Sequence, residues 1–82
     1  MKKSVHTKDY VVLVDTLREV RLAAGVTQVE LAKKLRQTQS FVSKIENGAS
    51  RLDLVQLRTI CHTLGTTLPT FVRAFEKRLQ SS

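Results

Sequence analysis

Four side chains able to read the edge of a base pair stand within one short stretch, Gln39, Ser40, Ser43 and Lys44. A Gln amide offers a donor and an acceptor side by side, which matches adenine N6 and N7. A Lys ammonium favours guanine O6 and N7, and a Ser hydroxyl is permissive. Val42 and Ile45 are interleaved with them. At helical spacing such a segment buries one side and presents amides, hydroxyls and a cation near its N-terminal end, which suits the major groove of DNA. The plainer alternative is an ordinary solvated face, and it weighs more for Ser40 and Ser43 than for Gln39 and Lys44.

The stretch that positions this set is Thr27 to Gly48, TQVELAKKLRQTQSFVSKIENG. It reads as two short helices joined by a tight turn, with apolar residues at Val29, Leu31, Ala32, Leu35, Val42 and Ile45. Thr27-Gln28-Val29-Glu30 matches a capping box, in which Thr27 accepts from the amide of residue 30 and Glu30 reaches back. Leu31, Ala32 and Leu35 form the inner face of this helix, and Ala32 is small where two helices must approach closely. Thr38 caps the following helix, which runs from Gln39 to about Asn47, and Gly48 ends it.

On either side the periodicity is helical as well. A first helix is expected from about Asp9 to Ala24, capped by Asp9 and ended by Gly25, with Leu13, Leu17 and Val20 at helical spacing. The run Tyr10-Val11-Val12-Leu13-Val14 would also suit a strand, but it flows without a breaker into Thr16-Leu17-Arg18-Glu19. The apolar surface at Tyr10, Val11 and Val14 exceeds what one core face needs, and is expected to meet another element or a second subunit. Asp53 caps a fourth helix through Leu64, with Gly65 as its stop and Leu54, Leu57, Ile60, Cys61 and Leu64 as its inner stripe. A fifth begins near Leu68-Pro69, since Pro is tolerated in the first turn. Leu68, Phe71, Val72, Phe75 and Leu79 follow its apolar pattern. The fold class is therefore all-α, a compact bundle of about five helices with a central helix-turn-helix. Residues 1–8 read as a flexible basic tail and 9–80 as the domain.

Composition bounds the function. The chain has 82 residues, of which 41% are hydrophobic, enough for one packed domain, and its single Pro and three Gly leave little room for turn-rich β architecture. Fourteen Lys and Arg against seven Asp and Glu give a net charge of +7, which favours a polyanionic partner once a reading helix shares the chain. No apolar run approaches membrane-spanning length, and no signal-peptide pattern follows Met1-Lys2-Lys3-Ser4, so a cytoplasmic protein is expected. Cys61 stands alone and reads as a buried core thiol. His6 and His62 form no ligand spacing with it, so neither a metal nor a cofactor is implied. Paired carboxylates, a nucleophile with a base, and a phosphate-cradling Gly loop are all missing, which argues against an enzyme.

With these residues in place the chain resembles the phage-repressor and Cro-type helix-turn-helix family, also called the XRE family. The resemblance runs from about Leu17 to Leu64. It is carried by Leu17, Val20, Arg21, Gly25, Thr27, Gln28, Leu31, Ala32, Leu35, Thr38, Gln39, Ser40, Val42, Ser43, Lys44, Ile45, Glu46, Asn47 and Gly48. It implies that the third helix enters the major groove, that residues matching Gln39, Ser40 and Lys44 face base edges, and that residues matching Gln28 and Asn47 contact phosphates, through a side chain or an adjacent backbone amide. Lys33, Arg36, Thr38 and Arg51 are further phosphate candidates around the groove-facing rim. Arg21 and Glu46 match an ion pair that joins the first helix to the end of the third; the alternative is two unrelated surface charges. Two residues depart from the pattern. Arg36 occupies the turn where the family often has Gly, which costs roughly 1 kcal/mol if the position needs positive φ. Gln37 sits where an apolar residue usually tucks under the motif, and an outward-pointing side chain with a locally different turn is the expectation.

The resemblance implies a sequence-specific transcriptional regulator of double-stranded DNA, most simply a repressor that binds its operator as a homodimer. Phe71, Phe75 and Leu79, or the apolar excess of the first helix, would supply the dimer interface, although Phe71 suits an intramolecular core better than Leu79 does. Two other readings stay open. One is the antitoxin of a toxin–antitoxin pair, which also represses its operon and binds a toxin. The other is a protein-interaction adaptor that uses the same helices without DNA.

Overall fold

The computed structural model describes residues 7–81. They form five helices, and no strand occurs among them: α1 Lys8–Ala23, α2 Gln28–Leu35, α3 Gln39–Glu46, α4 Leu54–Thr63 and α5 Leu68–Ser81. Residues 1–6, the greater part of the expected basic tail, lie outside the described residues. None of the described helices is long and apolar enough to cross a membrane.

Each helix starts where a side chain can satisfy its first free amides. Thr7, not Asp9, caps α1: its Oγ1 accepts from the Tyr10 amide at 3.2 Å. The helix therefore starts at Lys8, inside the expected tail, and Asp9 falls in the first turn, where a carboxylate faces the positive end of the helix dipole. Thr27 and Glu30 form the capping box of α2, at 3.0 and 2.8 Å. The amide hydrogen bond at Thr27 holds the Glu30 carboxyl below its ordinary pKa. Thr38 caps α3 through the Phe41 amide. Asp53 caps α4 and is joined there by Gln56, which completes a second capping box.

The core gathers one face from every helix. Leu17 of α1, Leu31 and Ala32 of α2, Val42 and Ile45 of α3, Leu57, Ile60 and Cys61 of α4, Leu64 just after it and Phe71 of α5 form one buried cluster. Phe71 is only 1% exposed. That burial removes it from the candidate dimer surface and makes it a centre of the core, worth about 1.5–3 kcal/mol by transfer alone. Cys61 is fully enclosed, and desolvation pushes its thiol pKa up, as befits a core thiol. Leu54 departs from the expected stripe: it is 64% exposed at the first position of α4, and Leu52 in the preceding loop is the residue that meets the core there. Val29 is likewise exposed. Of the apolar excess on α1, Val14 is buried and Val11 stays in solvent. Tyr10 meets the loop before α4: its hydroxyl donates to the Ser50 carbonyl at 3.4 Å and accepts from the Leu52 amide at 3.0 Å.

The α2–α3 turn carries the two departures noted above. Arg36 adopts φ 58° and ψ 42°, left-handed backbone, and its amide closes the α2 C-terminus. Gln37 is exposed, at the rim of a shallow groove of about 200 Å³ whose lining includes Leu35, Phe41 and Ile60. Arg36→Gly should therefore relieve steric strain and raise stability by roughly 0.5–1 kcal/mol, net of the greater freedom of glycine in the unfolded chain. A urea midpoint that moves upward checks this; a downward shift would mean that the Arg36 side chain contributes packing.

Candidate nucleic-acid interface

The geometry of α3 follows from its sequence. At about 100° per residue, Gln39, Ser40, Ser43, Lys44 and Asn47 share an arc of about 140° on the helix wheel. Gln39, Ser40, Lys44 and Asn47 are exposed and Ser43 is half-buried, whereas Val42 and Ile45 on the other side are in the core. The structure thus brings the four base-reading candidates to one surface.

The charge around this surface is one-sided. Positions 31–52 hold Lys33, Lys34, Arg36, Lys44 and Arg51 against a single carboxylate, Glu46. These five cations are all exposed, and Glu46 is buried and neutralised by Arg21. The remaining acids, Asp9, Asp15, Glu19, Glu30, Asp53 and Glu76, lie outside that stretch. Arg51 is held over the Tyr10 ring, its guanidinium carbon 6.0 Å from the centroid, which limits how far it can swing. Thr38 keeps its hydroxyl hydrogen while its oxygen caps α3. The Asn47 carbonyl oxygen accepts from the Ala49 amide at 3.0 Å, which leaves its NH₂ group to donate.

Behind the face lies the ion pair. Arg21 Nε donates to Glu46 Oε2 at 2.6 Å and Nη2 to Oε1 at 2.9 Å, a two-point contact between groups 6% and 7% exposed. Arg21 Nη1 also donates to the Val26 carbonyl at 2.9 Å. The pair therefore ties α1, the loop into α2 and the last turn of α3 to one another. Two planar groups meeting edge to edge are shorter and stronger than a point contact.

The Gln28 side chain is engaged within the protein. Its Nε2 donates to Glu46 Oε1 at 3.0 Å, and its Oε1 accepts from Gln39 Nε2 at 3.1 Å. The side chain bridges the ion pair to the start of α3. The sequence offers only a faint signal for this bridge. Residues 28 and 39 are both Gln, each at the first position of its helix, and Glu46 already had an assigned partner. Tyr10 meets another element as its excess apolar surface suggests, but through its hydroxyl, which a lone Tyr among β-branched residues does not signal.

Removing either member of the pair leaves the other buried without compensation, which costs roughly 3 kcal/mol. Arg21→Ala and Glu46→Ala should each lose about that much, and the double variant should lose clearly less than the sum. Urea unfolding of the four proteins in a double-mutant cycle measures the coupling. Additive losses would show that the two charges do not act as a unit.

Comparison with known proteins places this arrangement. The profile of the helix-turn-helix family HTH_3 matches residues 17–71. Among solved structures the chain is similar to an XRE-family like protein from Pseudomonas syringae pv. tomato str. DC3000. The identity is 41%, the coverage 92% of each chain and the TM-score 0.81. It is also similar to the clp gene regulator ClgR from Corynebacterium glutamicum, at 29% identity over 85% of this chain and 77% of that one, with a TM-score of 0.75. A second ClgR structure gives 27% identity over 92% of this chain and 96% of that one, with a TM-score of 0.77. A search of curated proteins finds no match. The family match covers both helices of the motif, the buried Arg21–Glu46 pair and the core up to Phe71, and the chain belongs to the XRE-type helix-turn-helix family.

Proposed function

We propose that the chain is a sequence-specific DNA-binding transcriptional regulator, acting as a repressor and as a homodimer, with α3 laid in the major groove. One observation carries the reading: Gln39, Ser40 and Lys44 stand exposed on a single face of α3 inside a stretch whose exposed charges are all positive. Gln39 and Lys44 are the base readers, with Ser40 and Ser43 beside them. Lys33, Arg36, Thr38, Asn47 and Arg51, together with the first amides of α2 at Gln28, hold phosphates. Phosphate contacts set register and affinity, and base contacts set preference. The printed descriptions of the similar structures, an XRE-family like protein and a gene regulator, support the same reading.

The dimer follows from energetics. One module of this size makes few base contacts, and half-sites one helical turn apart lie about 34 Å from centre to centre. The protein measures 34 × 26 × 20 Å, so two copies fit side by side over one turn. Phe75 and Leu79, half-buried on α5, remain the proposed contact now that Phe71 is in the core. The antitoxin reading shares the DNA-binding face and adds a toxin partner, which co-purification would reveal. The adaptor reading leaves the exposed amide and ammonium set on α3 without a role.

Affinity for duplex DNA should fall about 10³-fold between 50 and 200 mM salt, given about six phosphate contacts per dimer. A salt-independent affinity would show that the basic surface is not used this way. Gln39→Ala and Lys44→Ala should each lose roughly 1–3 kcal/mol on the preferred site and relax one base position. Binding to the site and to its single-base variants measures both. If the two variants keep the wild-type preferences, α3 does not read DNA and the adaptor reading takes its place.

A further inference from the structure

The loop between α3 and α4 is held by a side chain from the start of α1. The Tyr10 hydroxyl accepts from the Leu52 amide at 3.0 Å and donates to the Ser50 carbonyl at 3.4 Å, one residue on either side of Arg51, and both bonds are part-buried. The same loop is tied to α3, because the Ala49 and Ser50 amides donate to the Lys44 carbonyl at 2.9 and 3.1 Å. The Leu52 side chain packs against the core. Arg51 is thus an exposed cation between two anchored neighbours.

We propose that Tyr10 is a positioning residue for DNA binding: its hydroxyl fixes the loop on both sides of Arg51, so that this cation meets a phosphate in register with α3. The proposal rests on Arg51 being a phosphate contact, as argued above. Tyr10 itself touches no nucleic acid in it.

The clamp acts on backbone, so it sets where Arg51 leaves the loop whatever rotamer its long side chain takes. A loop already fixed in the free protein does not add its ordering cost to the cost of binding. The charge of Arg51 is also kept. Asp53 stands two residues on, but its carboxylate caps α4 at the Gln56 amide, and neither ion pair among the described residues involves Arg51. Its guanidinium carbon lies instead 6.0 Å from the centre of the Tyr10 ring. That is the outer limit of cation–π attraction, so the two hydrogen bonds carry the positioning. A ring attracts a cation without neutralising it, as a carboxylate would, and the full charge stays available to a polyanion. Reach comes from the length of α1. The family match begins at residue 17, whereas α1 starts at Lys8. The added turns carry the helix from Leu17 back to Tyr10, roughly 10 Å along its axis, and bring the hydroxyl to the loop. The clamp therefore depends on a residue outside the stretch that the family profile matches.

Tyr10→Phe keeps the ring and the helix and removes only the hydroxyl. The wild type, Tyr10→Phe, Arg51→Ala and the double variant form a cycle read by DNA binding, after circular dichroism and a thermal midpoint confirm folding. In the free protein, amide hydrogen exchange at Leu52 should speed up about tenfold or more in Tyr10→Phe, which reports the loosened loop directly. Fluorescence anisotropy then follows binding to the duplex that the wild type selects and to its single-base variants. Arg51→Ala should shrink the loss of affinity between 50 and 200 mM salt from about 10³-fold to about 10²-fold, because about two of six phosphate contacts per dimer go. Tyr10→Phe should weaken binding about tenfold when Arg51 is present, about threefold for each of two chains. It should cost under about twofold in the Arg51→Ala background, and base preferences should stay as in the wild type throughout. An equal loss in both backgrounds would mean that Tyr10 only supports the fold, and overturns the proposal. So does unchanged affinity when Tyr10→Phe is made beside Arg51. If Arg51→Ala keeps wild-type affinity and salt dependence, the phosphate contact and the clamp's role both fall, while persisting base preferences leave α3 as the reader. A wild type that binds no duplex at all would instead remove the DNA-binding reading itself.

Discussion

The Arg21–Glu46 pair is the constraint around which this small bundle is organised. Two opposite charges, each less than one-tenth exposed, meet through two hydrogen bonds, with a third from Arg21 to the Val26 carbonyl. Such a pair gains little net stability over apolar residues of the same volume, because both ions lose their hydration. What it imposes is geometry. The guanidinium plane reaches the last turn of α3 only at one distance and one angle from α1. The short α3, with only eight residues of its own, is thereby held at both ends. The Thr38 cap and the α2 contact hold its start, and the ion pair holds its finish.

That arrangement separates structural from functional charge. Glu46 is the only acid among positions 31–52, and its charge is turned inward against Arg21. The exposed cations nearby face no carboxylate from their own stretch. Within the motif the exposed charges are Lys33, Lys34, Arg36 and Lys44 against Glu30, which is engaged in the α2 capping box, while Glu46 is turned inward. A polyanion approaching α3 meets cations on exposed side chains and the amides at the start of α2, both suited to phosphate. In the proposed function, specificity then rests on the few exposed side chains of α3 with the right chemistry, Gln39 and Lys44 first.

The fold was largely legible in the sequence because its signals are local. Thr27, Thr38 and Asp53 cap helices from positions that sequence spacing reveals, and Gly25, Gly48 and Gly65 all take positive φ at the helix ends they were expected to close. The Arg21–Glu46 pair was legible only through resemblance, since no local pattern links residues 25 apart. The departures have three physical causes. Thr7 outcompeted Asp9 as a cap because two good capping residues stood two apart, and spacing alone does not choose between them. Leu54 fits the inner stripe by periodicity, but the bundle ends before it, and burial depends on neighbours that the helix wheel does not contain. The Gln28 bridge and the Tyr10 clamp on the 50–52 loop escaped for a third reason. Each depends on which distant polar atom a side chain happens to face, and this is settled only by tertiary packing.

The central claim is that α3 reads duplex DNA from a symmetric pair of chains. Selection of bound sequences from random duplex DNA at near-physiological salt tests it most directly. The account predicts enrichment of a site with two inverted half-sites centred about one helical turn, 10–10.5 base pairs, apart. Recovery of sequences with no common motif, from protein shown to be folded, would contradict it.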